Sequence, residues 1–146
     1  MIASNHNLAV ADLNAILNRT LDFVPVFDFI GAHVVAEVKD RIQNTKLDPA
    51  GNEWAPWRPM TETLRTLAGN VEQGLLWDTG DLLDSIHEEV DGSFTLAIGS
   101  DSEYADAVQN GIEGKQVARE FLGWTDEDIV FVRETTLMYL EMGVLL

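Results

Sequence analysis

The chain has 146 residues, 46% of them hydrophobic, which is too apolar for disorder throughout and long enough for one domain burying about 68% of its unfolded surface. It contains no cysteine, which excludes a disulfide scaffold, a thiol nucleophile and any cysteine-ligated zinc or iron–sulfur centre. Nine basic residues face 25 acidic ones, and the net charge of −16 opposes binding to DNA phosphates and anionic membranes.

No apolar run approaches the ~18 residues of a membrane span. Met1 to Ala11 carries Asn5, His6 and Asn7 and no basic residue, so it does not read as a signal peptide. From Leu8 to Leu21, the residues Leu13, Ile16, Leu17 and Leu21 recur at helical spacing, with Asn7 placed as N-cap. This is an N-terminal helical arm over residues 1–22. The second helix is the stronger prediction. Phe27, Ile30, Val34, Val35, Val38 and Ile42 form one stripe along about four turns. Pro25 and Asp28 suit its start, and Lys39, Arg41 and Lys46 suit the negative end of its dipole.

Leu47 to Pro59 reads as a loop, with the turn composition Asp48-Pro49-Ala50-Gly51-Asn52 followed by Trp54, Pro56 and Trp57. Met60 to Leu67 returns to helix with Thr61 as cap, and Gly69, Asn70 and Gly74 make the next stretch irregular. A tight turn at Thr79-Gly80 leads into a short helix. Ile86 to Val90 and Phe94 to Gly99 are predicted strands joined by an Asp91-Gly92 turn, with Phe94, Leu96 and Ile98 on one face. Ser102 to Asn110 forms a short helix closed by Gly111, and Gln116 to Leu122 adds a third short strand. Gly51, Gly80 and Gly111 are turn positions, the last two read as needing positive φ. Asp126 to Val144 is the last helix. Thr125 is its N-cap, Asp126, Glu127 and Asp128 load its first turn, and Ile129, Val132, Thr136, Leu140 and Gly143 mark its inner face. This order predicts an α+β fold, long helices packed on a small antiparallel sheet, in a single domain over residues 1–146.

The sequence offers little for catalysis. His87 and Glu89 share one face of a strand while Glu88 points to the other, and two ligands are too few for a metal. His6 and His33 lie on other elements. Ser85 and Ser93 lack a nucleophile-elbow setting, and no P-loop is present. Gly111-Ile112-Glu113-Gly114-Lys115 reads as a mobile loop. Asp48 to Glu53 lacks the alternating ligands of a calcium loop. No catalytic, cofactor-binding or metal site is therefore expected. Trp54 and Trp57 admit two readings, packing over the edge of the long helix or anchoring an interface, and Trp124 shares the ambiguity.

Four segments together resemble one family. Asp48-Pro49-Ala50-Gly51-Asn52-Glu53-Trp54-Ala55-Pro56 is similar to a D-x-x-G-x-x-W-x-P loop, and Leu76 to Ile86 to an L-x-x-T-G-x-L-x-x-S-I element. Tyr104-Ala105 with Gln109-Asn110-Gly111 resembles Y-A-x-x-H-Q-x-G, and Arg119-Glu120-Phe121-Leu122-Gly123 resembles R-P-F-L-G. In that order they resemble the phage virion-morphogenesis proteins, which include tail-completion proteins of contractile-tailed phages. The resemblance spans a core of about residues 27–140. Val108 stands where the family has His and Glu120 where it has Pro.

The resemblance implies a non-enzymatic structural protein of the neck or head-proximal tail end, located in the virion and assembled in the host cytoplasm. It implies a homo-oligomeric ring, six-fold by default, around the DNA path between the head connector and the tail-tube proteins. An acidic inner wall would let DNA slide past without specific binding. A ring needs one patch to meet a different patch on its neighbour. Trp54, Trp57, Phe121, Leu122 and Trp124 are the residues expected there, with removal of both Trp54 and Trp57 weakening assembly more than folding. The alternative use of the charge is an acidic DNA mimic that blocks a host nucleic-acid-binding protein. A small hydrolase built on His87 is a weaker third reading.

Overall fold

The computed structural model describes residues 3–72, 74–92 and 94–145, with residues 3–9 described by backbone alone. Among them, in chain order, lie α1 (Ala3–Thr20), α2 (Val24–Asp40), α3 (Pro59–Ala68), α4 (Asp81–Asp84), β1 (Ile86–Asp91), β2 (Thr95–Ser100), α5 (Ala105–Asn110) and α6 (Asp126–Met142). This is the expected α+β arrangement, with one two-stranded antiparallel sheet among the described residues. Ser93, considered above, lies outside them, as does the side chain of His6.

The core is built on α2, whose stripe Ile30, Val34, Val38 and Ile42 is buried along with Val26 and Val35. Four residues spaced by four put a continuous apolar line on one side of the helix. Pro25 occupies the first turn, where its missing N–H costs nothing. Asp22, not the exposed Asp28, serves the start, its Oδ1 accepting from the Val24 N–H at 3.1 Å. The helix widens into a π turn over Arg41–Thr45 and stops at Lys46, which is left-handed with φ 58°.

The sheet lies against α2. Residues pair Ile86 with Ser100, Glu88 with Ile98 and Val90 with Leu96. Gly31 leaves bare backbone where Glu88 crosses; a Cβ there would sit 2.9 Å from the Glu88 Cβ. Leu96 and Ile98 pack on the core, but Phe94 falls in the turn before β2, largely exposed, its ring 6.1 Å from that of Phe23. The third strand expected at Gln116 to Leu122 does not form. Its backbone finds other partners: Gln116 pairs only with Ile112, the Arg119 N–H donates to the Val108 carbonyl at 2.7 Å, and the 121–122 amides go to a side chain.

At α6 the N-cap is as read. Thr125 Oγ1 accepts from the Asp128 N–H while the Asp128 carboxylate accepts from the Thr125 N–H, a reciprocal capping box. The inner face differs. Asp128 and Thr135 are buried, with Val132 and Tyr139 packed on the core, whereas Ile129 is exposed. The box draws Asp128 inward and turns the helix by about one residue. Gly143 closes it in a left-handed conformation.

Two helices expose apolar faces. The backbone of α1 is helical from Ala3, so Asn7 lies within it and is not its cap, and Leu13, Leu17 and Leu21 face solvent. Arg19 ties α1 to the end of α6 by donating to the Leu140 and Glu141 carbonyls at 2.8 and 3.1 Å. In α3, Pro59 opens the helix, which places Thr61 inside it, and no residue is buried. α5 begins at Ala105, three residues later than expected.

Candidate functional site

Three of the four motif segments, around Trp54, Gln109 and Phe121, hold one another through backbone-directed hydrogen bonds. Trp54 Nε1 donates to the Glu120 carbonyl at 2.9 Å. Arg119 returns the contact, Nε donating to the Ala55 carbonyl at 2.8 Å and Nη2 to that of Pro56 at 2.9 Å. Gln109 accepts from the Phe121 and Leu122 N–H groups at 3.0 Å each and donates to the Leu122 carbonyl at 2.9 Å. Arg41 Nη1 reaches the Phe121 carbonyl at 2.6 Å from the far side. Irregular backbone inside a domain must be paired, and these side chains do it where no strand ladder does.

Glycines shape the turns of the motif segments. Gly111, at φ 74°, lies so close to the next segment that a Cβ would meet the Ala118 nitrogen at 2.8 Å and the Gln116 oxygen at 2.9 Å. Gly80, at φ 102°, opens α4, and Gly51, at φ 84°, turns a loop that Asp48 closes by accepting from the Asn52 backbone and side chain. Those Asn52 hydrogen bonds, the side-chain one foremost, hold the Asp48 carboxyl below its ordinary range.

The candidate interface residues divide. Trp54 is 6% exposed and Phe121 fully buried, both within the core of their own chain. The packing reading describes Trp54. Leu122 is half-buried against the core, Trp57 is half-buried with the Arg65 guanidinium 4.8 Å from its ring centre, and Trp124 is 48% exposed. Of the residues expected to meet a neighbour, Trp57, Leu122 and Trp124 keep accessible surface.

The surface is unevenly charged. A cleft of about 480 Å³ between the 56–61 segment, the 76–82 turn and the 115–119 segment is lined by Arg58, Arg65, Lys115 and Arg119, four of the nine basic residues, with Asp78 and Asp81. Burial lowers the pKa of Arg119. Arg65 pairs with Asp78 at 3.5 Å, while Arg58 and Lys115 are exposed. A separate depression beside α6 is lined by Glu37, Asp40, Asp48, Asp126 and Glu127. Its one cation, Arg41, is buried and committed to the Phe121 carbonyl; desolvation lowers its pKa against the pull of Asp128. This partition of charge was not legible in the sequence, because the four cations are spread over some sixty residues and meet only when the loops fold together.

Two histidines have structural partners. His33 stacks on Phe131 with ring centres 3.8 Å apart. His87 donates from Nδ1 to the Ser85 carbonyl at 3.0 Å and lies 3.7 Å from Asp101, and both raise its pKa. Among the described residues no group of three or more His, Asp and Glu side chains is placed to hold a metal ion, and no helix is long and apolar enough to cross a membrane.

The fold and its side-chain-to-backbone clamp define a small α+β domain. The chain belongs to the phage virion morphogenesis family, whose model matches residues 7–141. That membership gives it a structural role in building the phage particle and makes it a virion-associated protein. Comparison with curated proteins and with solved structures finds no match.

Proposed function

We propose that the protein is a component of the phage neck or head-proximal tail end, forming a homo-oligomeric ring, six-fold by default, around the DNA path. It joins the head connector to the tail-tube proteins and acts without catalysis. The observation that carries this reading is the family match over nearly the whole chain, residues 7–141. The net charge of −16 supports it, since a wall poor in cations makes few phosphate contacts and lets DNA slide through without specific binding.

Gold-labelled antibody against this chain, applied to purified particles and viewed by electron microscopy, tests the assignment. Label at the head–tail junction is the expected result. Its absence from particles, tail-less heads and free tails would refute the neck role and turn attention to a host partner of the acidic surface. A ring whose lumen proved basic would remove the sliding argument.

A further inference from the structure

We infer that the contact between copies of this chain is made by the α3 face of one protomer against the start of α6 on the next. The inference rests on the ring reading above and names the surfaces that build it.

The first observation is that α3 has no buried residue, yet Met60, Leu64 and Leu67 form an apolar line at i, i+4 and i+7. Ten residues are too few for a helix to be stable by itself; below about 12–15 residues an isolated helix is marginal in water. Within its own chain, α3 is held mainly at Arg65, through Asp78, the Trp57 ring and the Trp77 carbonyl. A partner that covers the apolar line supplies what the protomer does not.

The second observation identifies the partner. Arg58 and Lys115 stand exposed at the cleft beside α3, so the covering surface should be apolar and acidic. The chain carries such a surface. Trp124, Ile129 and Val130 are exposed around the first turn of α6, and Asp126 and Glu127 stand beside them on the acidic depression. The residues lining the cleft and those lining that depression do not overlap. A two-fold contact of α3 with α3 would bring two cation-lined clefts into one interface. A head-to-tail contact sets cation against carboxylate and lets the same pairing repeat around a closed ring. Phosphates could meet the cations of the cleft but offer nothing to the apolar line of α3.

The chain has no cysteine, so engineered thiols report specifically. Leu64 is 59% and Val130 53% exposed, and cysteine at either should leave the fold intact, with circular dichroism as the control. Under mild oxidation of concentrated protein, L64C and V130C should each form no cross-link alone, cross-link to one another when mixed, and give a ladder when combined in one chain. Adding R58E and K115E to L64C should cut cross-linking to V130C at least about tenfold, and D126K with E127K on the V130C partner should restore it. Self-cross-linking of L64C would overturn the proposal in favour of a two-fold contact. Oligomers in sedimentation with no cross-link between these sites would overturn the named surfaces and leave the ring standing. Monomers at every concentration, with no cross-link, would overturn the contact too, and particle labelling then decides the ring separately.

Discussion

Replacing Trp54 with alanine separates a core tryptophan from an interface one. The indole is 6% exposed, and its Nε1 satisfies the Glu120 carbonyl at 2.9 Å. Truncating a buried tryptophan costs about 3–5 kcal/mol. The orphaned carbonyl adds about 1 kcal/mol. The sum, about 4–6 kcal/mol, is a large part of the roughly 5–15 kcal/mol that holds a domain together. At about 2–4 °C per kcal/mol for a chain of this size, melting should fall by about 10–20 °C. Trp54→Phe keeps most of the ring and loses the donor, so it should cost about 1–2 kcal/mol. Trp57 is half-buried and gains mainly its contact with Arg65, so Trp57→Ala should cost only about 0.5–1 kcal/mol. Thermal unfolding followed by far-UV circular dichroism on the three variants provides the comparison. Equal melting temperatures for Trp54→Ala and Trp57→Ala would refute the assignment of Trp54 to the core and return both residues to the interface.

Gln109→Leu should cost about 2–4 kcal/mol, measured by urea unfolding, because it strips partners from three backbone groups at Phe121 and Leu122. A neutral result would mean those groups find water. Gly111→Ala should cost more than about 2 kcal/mol, since a Cβ there collides with backbone, whereas Gly51→Ala, with nothing within 4 Å, should cost no more than about 1 kcal/mol; equal losses would show that φ alone decides. The pKa of His87 is raised above 6.5 by the Ser85 carbonyl and then Asp101. Its stabilising share is therefore full below pH 6.5 and lost as pH climbs through the raised value. Melting of the wild type should drop across that window relative to His87→Gln, and parallel curves would sink the assignment.

Periodicity found what periodicity can encode. The α2 stripe and the Thr125 cap are local signals, and the fold keeps both. The shift of the α6 inner face was out of reach, since it follows from where the Asp128 carboxylate goes once the box closes. The missing third strand fails for a similar reason: Gln109, 12 and 13 residues away along the chain, takes the backbone amides that a strand would need. Arg41 read as a dipole partner because its target, the Phe121 carbonyl, lies 80 residues away. The motif residues were recognisable as a set, but their pattern did not disclose that Trp54, Arg119 and Gln109 spend themselves on backbone. The exposed α3 line was visible only as a helix, because solvent and core cannot be told apart until the neighbours are in place.

With only two strands, β1 and β2 each leave an outer edge unpaired among the described residues, and β2, Thr95–Ser100, has no charged side chain. Open edges recruit strands from other molecules unless something keeps those molecules apart. A net charge of −16 opposes such encounters, and that repulsion fades near the isoelectric point of about 4.2. Light scattering of the folded protein should therefore rise as pH falls toward that value, and flat scattering there would show that the hairpin edges are covered.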